Sequence, residues 1–306
     1  MNTALPTTID AYLDALRAAL SGADPALVQD ALYDAEEFLR SELAEQSGQS
    51  EAQVIAKVAS SYGAPDEVAS IYRDTEYKVR RAIEPPKATP RRSLAGRFFG
   101  VAADPRTYGA IFYLLLSMAT GIIYFTFATA GLSLSAGLAI LIIGIPFFLL
   151  FLGLTRVLSL VEGRIVETML GTRMPRRPLY SDRSVGWMDR IKEMLGDVRT
   201  WSTILYLFIM LPLGIVYFTL TVTGFSLAFG FIAAPLLYLA DRLGWMSQHV
   251  RADDVEFGLM ALPPGVALPL LFVAGVILLF SMMHLVRGIG QVHGAIAKSL
   301  LVRSGS

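Results

Sequence analysis

The chain has no cysteine, which excludes disulfides, thiolate metal sites and a cysteine nucleophile. Charge is also scarce: Asp, Glu, Lys and Arg make up 17% of its 306 residues, against about 25% in ordinary soluble domains. Phosphate-binding glycine loops, paired metalloprotease histidines and the serine elbow of hydrolases are missing too. The usual routes to catalysis are thereby closed, and neither a cofactor nor a metal nor a catalytic residue is expected. What is abundant is apolar surface, with 54% hydrophobic residues and a mean hydropathy of +0.53.

The balanced total of 26 bases and 26 acids hides a division along the chain. Residues 1–78 carry 14 acids against 5 bases, a net −9, and the remainder carries the opposite excess. Asp10, Asp14 and Arg17 interrupt the segment that a signal peptide would need apolar. Residues 7–77 read instead as short amphipathic helices. Ile9, Tyr12, Leu13, Leu16 and Leu20 share one face, and Ser21-Gly22 ends that run. Asp24-Pro25 is an N-cap followed by proline at the first helical position, where its missing N–H costs nothing. Ser50 and Gln53 form a capping box, Gly63 supplies a left-handed C-cap, and Pro65 starts a fourth helix. Tyr33, Glu36, Glu37 and Phe38 are the candidate docking residues for a basic partner, with a solvated helix face as the competing reading.

The order Leu13, Leu16, Leu20, then Tyr33 to Phe38, then the run from Tyr62 through Gly63-Ala64-Pro65 to Ala69 resembles the HAAS-type helical signalling domain. The resemblance implies a cytosolic module attached to bacterial membrane proteins, with a PadR-like transcription regulator as a partner.

Residues 79–105 form a basic linker, in which Arg80, Arg81, Lys87, Arg91, Arg92 and Arg97 alternate with prolines. Such bases suit an anionic lipid surface, and direct nucleic-acid binding is the weaker alternative. From Thr107 to Thr155 no charged residue occurs, enough for a helical hairpin, with its turn expected near Gly131 to Gly137. Further charge-free runs cover 200–240 and 257–286.

These runs repeat. At an offset of 93, 14 of 32 positions are identical, among them Tyr113 with Tyr206, Gly121 with Gly214 and Tyr124 with Tyr217. At an offset of 131, Arg156, Gly163 and Leu170 match Arg287, Gly294 and Leu301. The fold class expected is all-α: a small soluble helical domain, then a polytopic membrane domain at 106–306 of two helical-hairpin repeats and four transmembrane helices. Repeat 1 spans 106–171. Repeat 2 spans 199–302 and holds an extracytoplasmic insertion at about 225–262, whose apolar start is compatible with a re-entrant, interfacial or fifth spanning segment. The loop Arg156–Arg199 has nine bases and six acids, Glu162 among them, which places it and both termini in the cytosol. Amphipathic helices around 158–169 and 289–300 are expected to lie flat on the inner surface. No acid or base is then left inside a span, and His284 is the one titratable group there. The two units should pack as parallel repeats through Gly121 and Gly214.

The paired motifs Gly-Ile-Ile-Tyr-Phe-Thr at 121–126 and Gly-Ile-Val-Tyr-Phe-Thr at 214–219, each preceded by an arginine-aromatic start, resemble the bacterial "putative sensor" membrane domain. That resemblance implies a multi-pass receptor-like domain of the plasma membrane, here without a kinase module. Tyr113, Tyr124, Tyr206 and Tyr217 are ligand-sensing candidates, with plain helix packing as the competing reading. Trp245, His249, Asp253 and Asp254 are candidates in the insertion, against a solvated acidic loop. The function expected is a non-enzymatic membrane sensor that relays an envelope or lipid-phase signal through its head. The alternative is an accessory subunit of a membrane transporter or lipid-handling complex. Membrane lipids, a cytosolic regulator or a transporter are the partners, and a homo-oligomer is compatible with the sequence.

Overall fold

A computed structural model describes residues 6–46, 48–83, 93–140, 143–176, 192, 195–245 and 264–302. Every element among them is helical. The head comprises α1 (Ile9–Ala19), α2 (Pro25–Glu45), α3 (Glu51–Ser61) and α4 (Pro65–Ile83). Its start signals act as the sequence indicates. Asp24 accepts from the Ala26 N–H beside Pro25, and the Ser50 N–H donates to Gln53 at 3.0 Å. Gly63 adopts φ +110°, which a side chain would strain, so that α4 can start at once. Ile9, Tyr12, Leu16, Leu39, Ile55 and Val68 meet in a core of the head's own. The Tyr12 hydroxyl closes the Gly63 turn by donating to its carbonyl at 2.8 Å.

A short helix α5 (Leu94–Phe99) and one 3-10 turn follow, and then four long helices: α6 (Pro105–Leu138), α7 (Gly144–Leu170), α8 (Val198–Arg242) and α9 (Pro264–Leu301). All four are long and apolar enough to cross a membrane. Ile122, Ile123, Val216, Phe229, Leu270 and Ile277 lie exposed on them, as side chains facing lipid would. Three expectations change. α6 runs through Gly131 and Gly137 and ends at Leu138, because Gly131 lies under the Phe151 ring and serves packing. The apolar stretch 225–240 is the continuation of α8, neither a separate span nor a re-entrant loop. The stretches expected flat on the membrane are the ends of α7 and α9, unbroken from the spans before them.

Gly121 and Gly214 do mark the α6–α8 contact: a Cβ on Gly121 would come within 2.6 Å of the Met210 carbonyl oxygen, and one on Gly214 would strike that of Ser117. The sense of packing is a correction. As the chain rises on α6 it falls on α8, with Ser117 against Gly214, Gly121 against Met210 and Phe125 edge-on to Phe208 at 5.5 Å. Along α9 it rises together with α6, from Asp104 with Arg287 through Ala110 with Gly290 to Tyr113 with His293. α6 and α8 are therefore opposed rather than parallel. Glycine permits close backbones but does not fix their direction, so the repeat alone could not decide this. The hairpins α6–α7 and α8–α9 overlap along their basal halves and project in opposite directions.

Candidate functional site

Where the basal halves overlap, six polar side chains converge inside an otherwise apolar bundle. Glu162 of α7 and His293 of α9 are both fully buried. The Glu162 carboxylate accepts three hydroxyls: Tyr113 at 2.6 Å, Tyr206 at 2.8 Å and Tyr124 at 2.8 Å. His293 lies against the same groups, with Nε2 2.5 Å from the Tyr113 hydroxyl and 3.1 Å from that of Tyr206. Its Nδ1 is 3.4 Å from the Tyr217 hydroxyl.

The proton count assigns the donors. A tyrosine has one hydroxyl proton, and Tyr113 and Tyr206 give theirs to Glu162. The Nε2–H of a neutral His293 is then the donor to both tyrosine oxygens, and Nδ1 is left to accept from Tyr217. The result is a directed chain from imidazole through two phenols to a carboxylate, with each hydroxyl given a partner. Burying a carboxylate without such donors costs several kcal/mol, roughly 3–5 when a partner is removed from a buried charge.

All four tyrosines singled out from the repeat thus meet at one point. Glu162 and His293 were missed. Glu162 sits seven residues beyond Thr155, where the charge-free run ends, so a count of charges places it with the loop. A signal did exist: an offset of 131 also places Glu162 on His293, so the two fall at equivalent positions of the repeat. His284 is not the sole titratable group of the spans. It lies at the surface, stacked on Phe98 and 3.0 Å from its carbonyl oxygen. Trp245 is 79% exposed beyond the end of α8, away from the centre. His249, Asp253 and Asp254 lie outside the described residues. Among the described residues no group of three His, Cys, Asp or Glu could hold a metal ion.

The "Putative sensor" family model matches residues 113–301, a stretch that begins at Tyr113 and takes in all six residues of the centre. The chain belongs to this family. No curated protein and no solved structure matches it.

A second constellation joins head to bundle. Arg173, just past α7, donates to Asp30 at 3.1 Å and to Glu76 at 2.5 Å. Lys298 near the end of α9 pairs with Asp24 at 2.5 Å, and Arg199 at the start of α8 donates to Gln29 at 2.8 Å. The backbone N–H of Arg176 adds a bond to Asp30 at 2.6 Å. The acidic excess of the head is thus spent in part on the chain's own basic ends. The expected docking cluster faces elsewhere: Glu36 pairs with Arg40, Phe38 stacks on Tyr62 inside the head, Tyr33 is half-buried and Glu37 is exposed.

Proposed function

We propose that the protein is a non-enzymatic sensor or regulator of the bacterial plasma membrane. Its bundle takes up an envelope or lipid-phase signal, and the head passes it to a cytosolic partner. The single observation that carries this reading is the latch of Asp24, Asp30 and Glu76 on Lys298 and Arg173. The helix that bears Lys298 also bears His293, and the one that carries Arg199 in its first turn bears Tyr206. A shift of one hairpin against the other about the tyrosine centre therefore moves the charges to which the head is tied.

Arg173, Arg199 and Lys298 all reach one head, which supports a topology with the head, the loop after α7 and the C-terminal end on one face, the cytosolic one. Two hairpin repeats are supported by the matched places of Tyr113 and Tyr206, Tyr124 and Tyr217, and Glu162 and His293 about the centre. For both hairpins to cross one bilayer they must close toward each other about their shared base. That is a two-state rearrangement of the kind a ligand or the bilayer can bias. The head is read as a HAAS-type module, and a PadR-like transcription regulator is the partner this suggests.

The test is to purify the intact protein in mild detergent and identify what travels with it, alongside Arg173→Glu. A transcription regulator whose recovery changes in the variant supports the relay. Transporter subunits recovered equally with both proteins would replace it with the accessory-subunit reading.

A further inference from the structure

A groove between α7 and the start of α8 is lined by Thr155, Arg156, Ser159, Asp197, Arg199 and Thr200. Thr200 is among its walls and is 5% exposed. Its hydroxyl has no hydrogen-bond partner among the described residues. A buried, unsatisfied hydroxyl costs about 1–3 kcal/mol and calls for an explanation. Beside it the half-buried Arg156 guanidinium has no ion partner among the described residues. The one carboxylate in the wall, Asp197, is engaged as the N-cap of α8, accepting from the Arg199 N–H at 3.0 Å.

The matching place, between the start of α6 and α9, is filled by the chain itself. There Thr107, the counterpart of Thr200, donates to the Val101 carbonyl at 3.0 Å. Arg287, the counterpart of Arg156, pairs with Asp104 at 2.9 Å. The same residue types are therefore satisfied on one side and left open on the other. On the open side neither Arg156 nor the Thr200 hydroxyl is paired among the described residues, although Asp197, the counterpart of Asp104, stands in the same wall. An anionic tetrahedral group with several oxygens meets both demands, since guanidinium pairs with phosphate through two parallel hydrogen bonds. The amide dipoles at the start of α8 favour the same charge. Arg156 ends the charge-free run from Thr107 to Thr155, and a base at such a boundary suits an anionic headgroup.

We propose that this groove binds a phosphoryl group, with Arg156 as its main charged ligand and Thr200 as a hydroxyl donor. The source is an anionic phospholipid headgroup or free phosphate. Neither Arg156 nor Thr200 touches the head, so the two groove variants test the site apart from the relay, although Arg199 in the wall also donates to Gln29.

The full-length protein in detergent is titrated with dioctanoyl phosphatidic acid, with inorganic phosphate and with dioctanoyl phosphatidylcholine, the thermal midpoint being read at each concentration. Phosphatidic acid is expected to raise the midpoint saturably, and phosphatidylcholine to leave it in place. A rise with inorganic phosphate as well assigns the site to any phosphoryl group; a rise with phosphatidic acid alone assigns it to lipid. Arg156→Gln should weaken the half-saturating concentration roughly tenfold or more, the value of one charge-assisted pair. Thr200→Val, which keeps the side-chain shape, should weaken it several-fold, and Arg287→Gln should leave it unchanged. Thr200→Val decides the matter if Arg156→Gln does not fold. The proposal is overturned if no anion shifts the midpoint, or if both groove variants titrate like the unaltered chain.

Discussion

Arg173 reaches Asp30 across 143 residues of sequence, closing to 3.1 Å, and so fastens the second helix of the head to the end of α7. The guanidinium is only 15% exposed and serves Glu76 as well. Reversing it should cost more than a surface pair would, since two carboxylates lose a guanidinium in a partly dry contact. Arg173→Glu is expected to free the head without unfolding it, so that limited proteolysis separates head from bundle faster than in the unaltered protein. Unchanged cleavage would show that the latch does not hold the head.

The second prediction concerns Glu162. Glu162→Leu removes the acceptor of three buried hydroxyls at once and should lower the stability of the bundle by about 3 kcal/mol or more. Glu162→Gln keeps one acceptor oxygen and should fall between. Thermal unfolding in detergent ranks the three proteins, and a leucine variant as stable as the original would mean that the centre contributes nothing to packing.

The third concerns the sense of the α6–α8 contact. Gly121→Leu and Gly214→Leu should each disrupt the bundle, because each new side chain would have to displace the facing backbone. With cysteines at Phe125 and Phe208, a short bifunctional thiol reagent should crosslink the protein in detergent. In vesicles, where both hairpins share one bilayer, the yield should drop. Equal yields in the two settings would refute the closing of the hairpins about their base.

Topology supplies a fourth. An impermeant thiol reagent applied to intact cells should label a cysteine at Ser247 and spare one at Ser184. Labelling of a cysteine at Ser304 would put the C-terminal end outside and break the proposed arrangement.

The head should also fail in alkali. Burial pushes the Tyr12, Tyr62 and Tyr72 hydroxyls upward, and for Tyr72 the hydrogen bond to Asp34 adds to the effect. A folded-state value above the unfolded one means stability that is complete below the ordinary value of 10.0 and is lost as pH climbs beyond it. Circular dichroism of residues 1–83 should therefore stay flat to about pH 10 and decline above it. Tyr72→Phe should soften that decline; a midpoint indifferent to all three tyrosines would contradict the assignment.

Much of this was legible in the residues. Asp24-Pro25, the Ser50 and Gln53 pair and Gly63 are local signals, and each placed a helix end within the head. The four apolar helices followed from charge-free length, and the tyrosine quartet from self-similarity. Glu162 and His293 were hidden because a count of charges treats an acid next to an arginine as loop, whereas a long helix can carry that acid inward on one face. The latch was illegible for a different reason. Asp30 and Arg173 are surface-type residues in separate domains, and nothing local in either segment names the other. Direction was lost too, since glycine faces that match in sequence fit both parallel and opposed helices.

α8 holds 45 residues in one helix, or roughly 68 Å at 1.5 Å per residue, about twice the hydrocarbon core of a bilayer. A helix apolar over such a length cannot match the slab by standing upright. It must tilt, or bend where a backbone hydrogen bond is already missing, at Pro212 and Pro235. The angle it takes then depends on how thick the surrounding lipid is. Acyl-chain length thereby becomes a mechanical variable at the start of α8, where Arg199 meets the head.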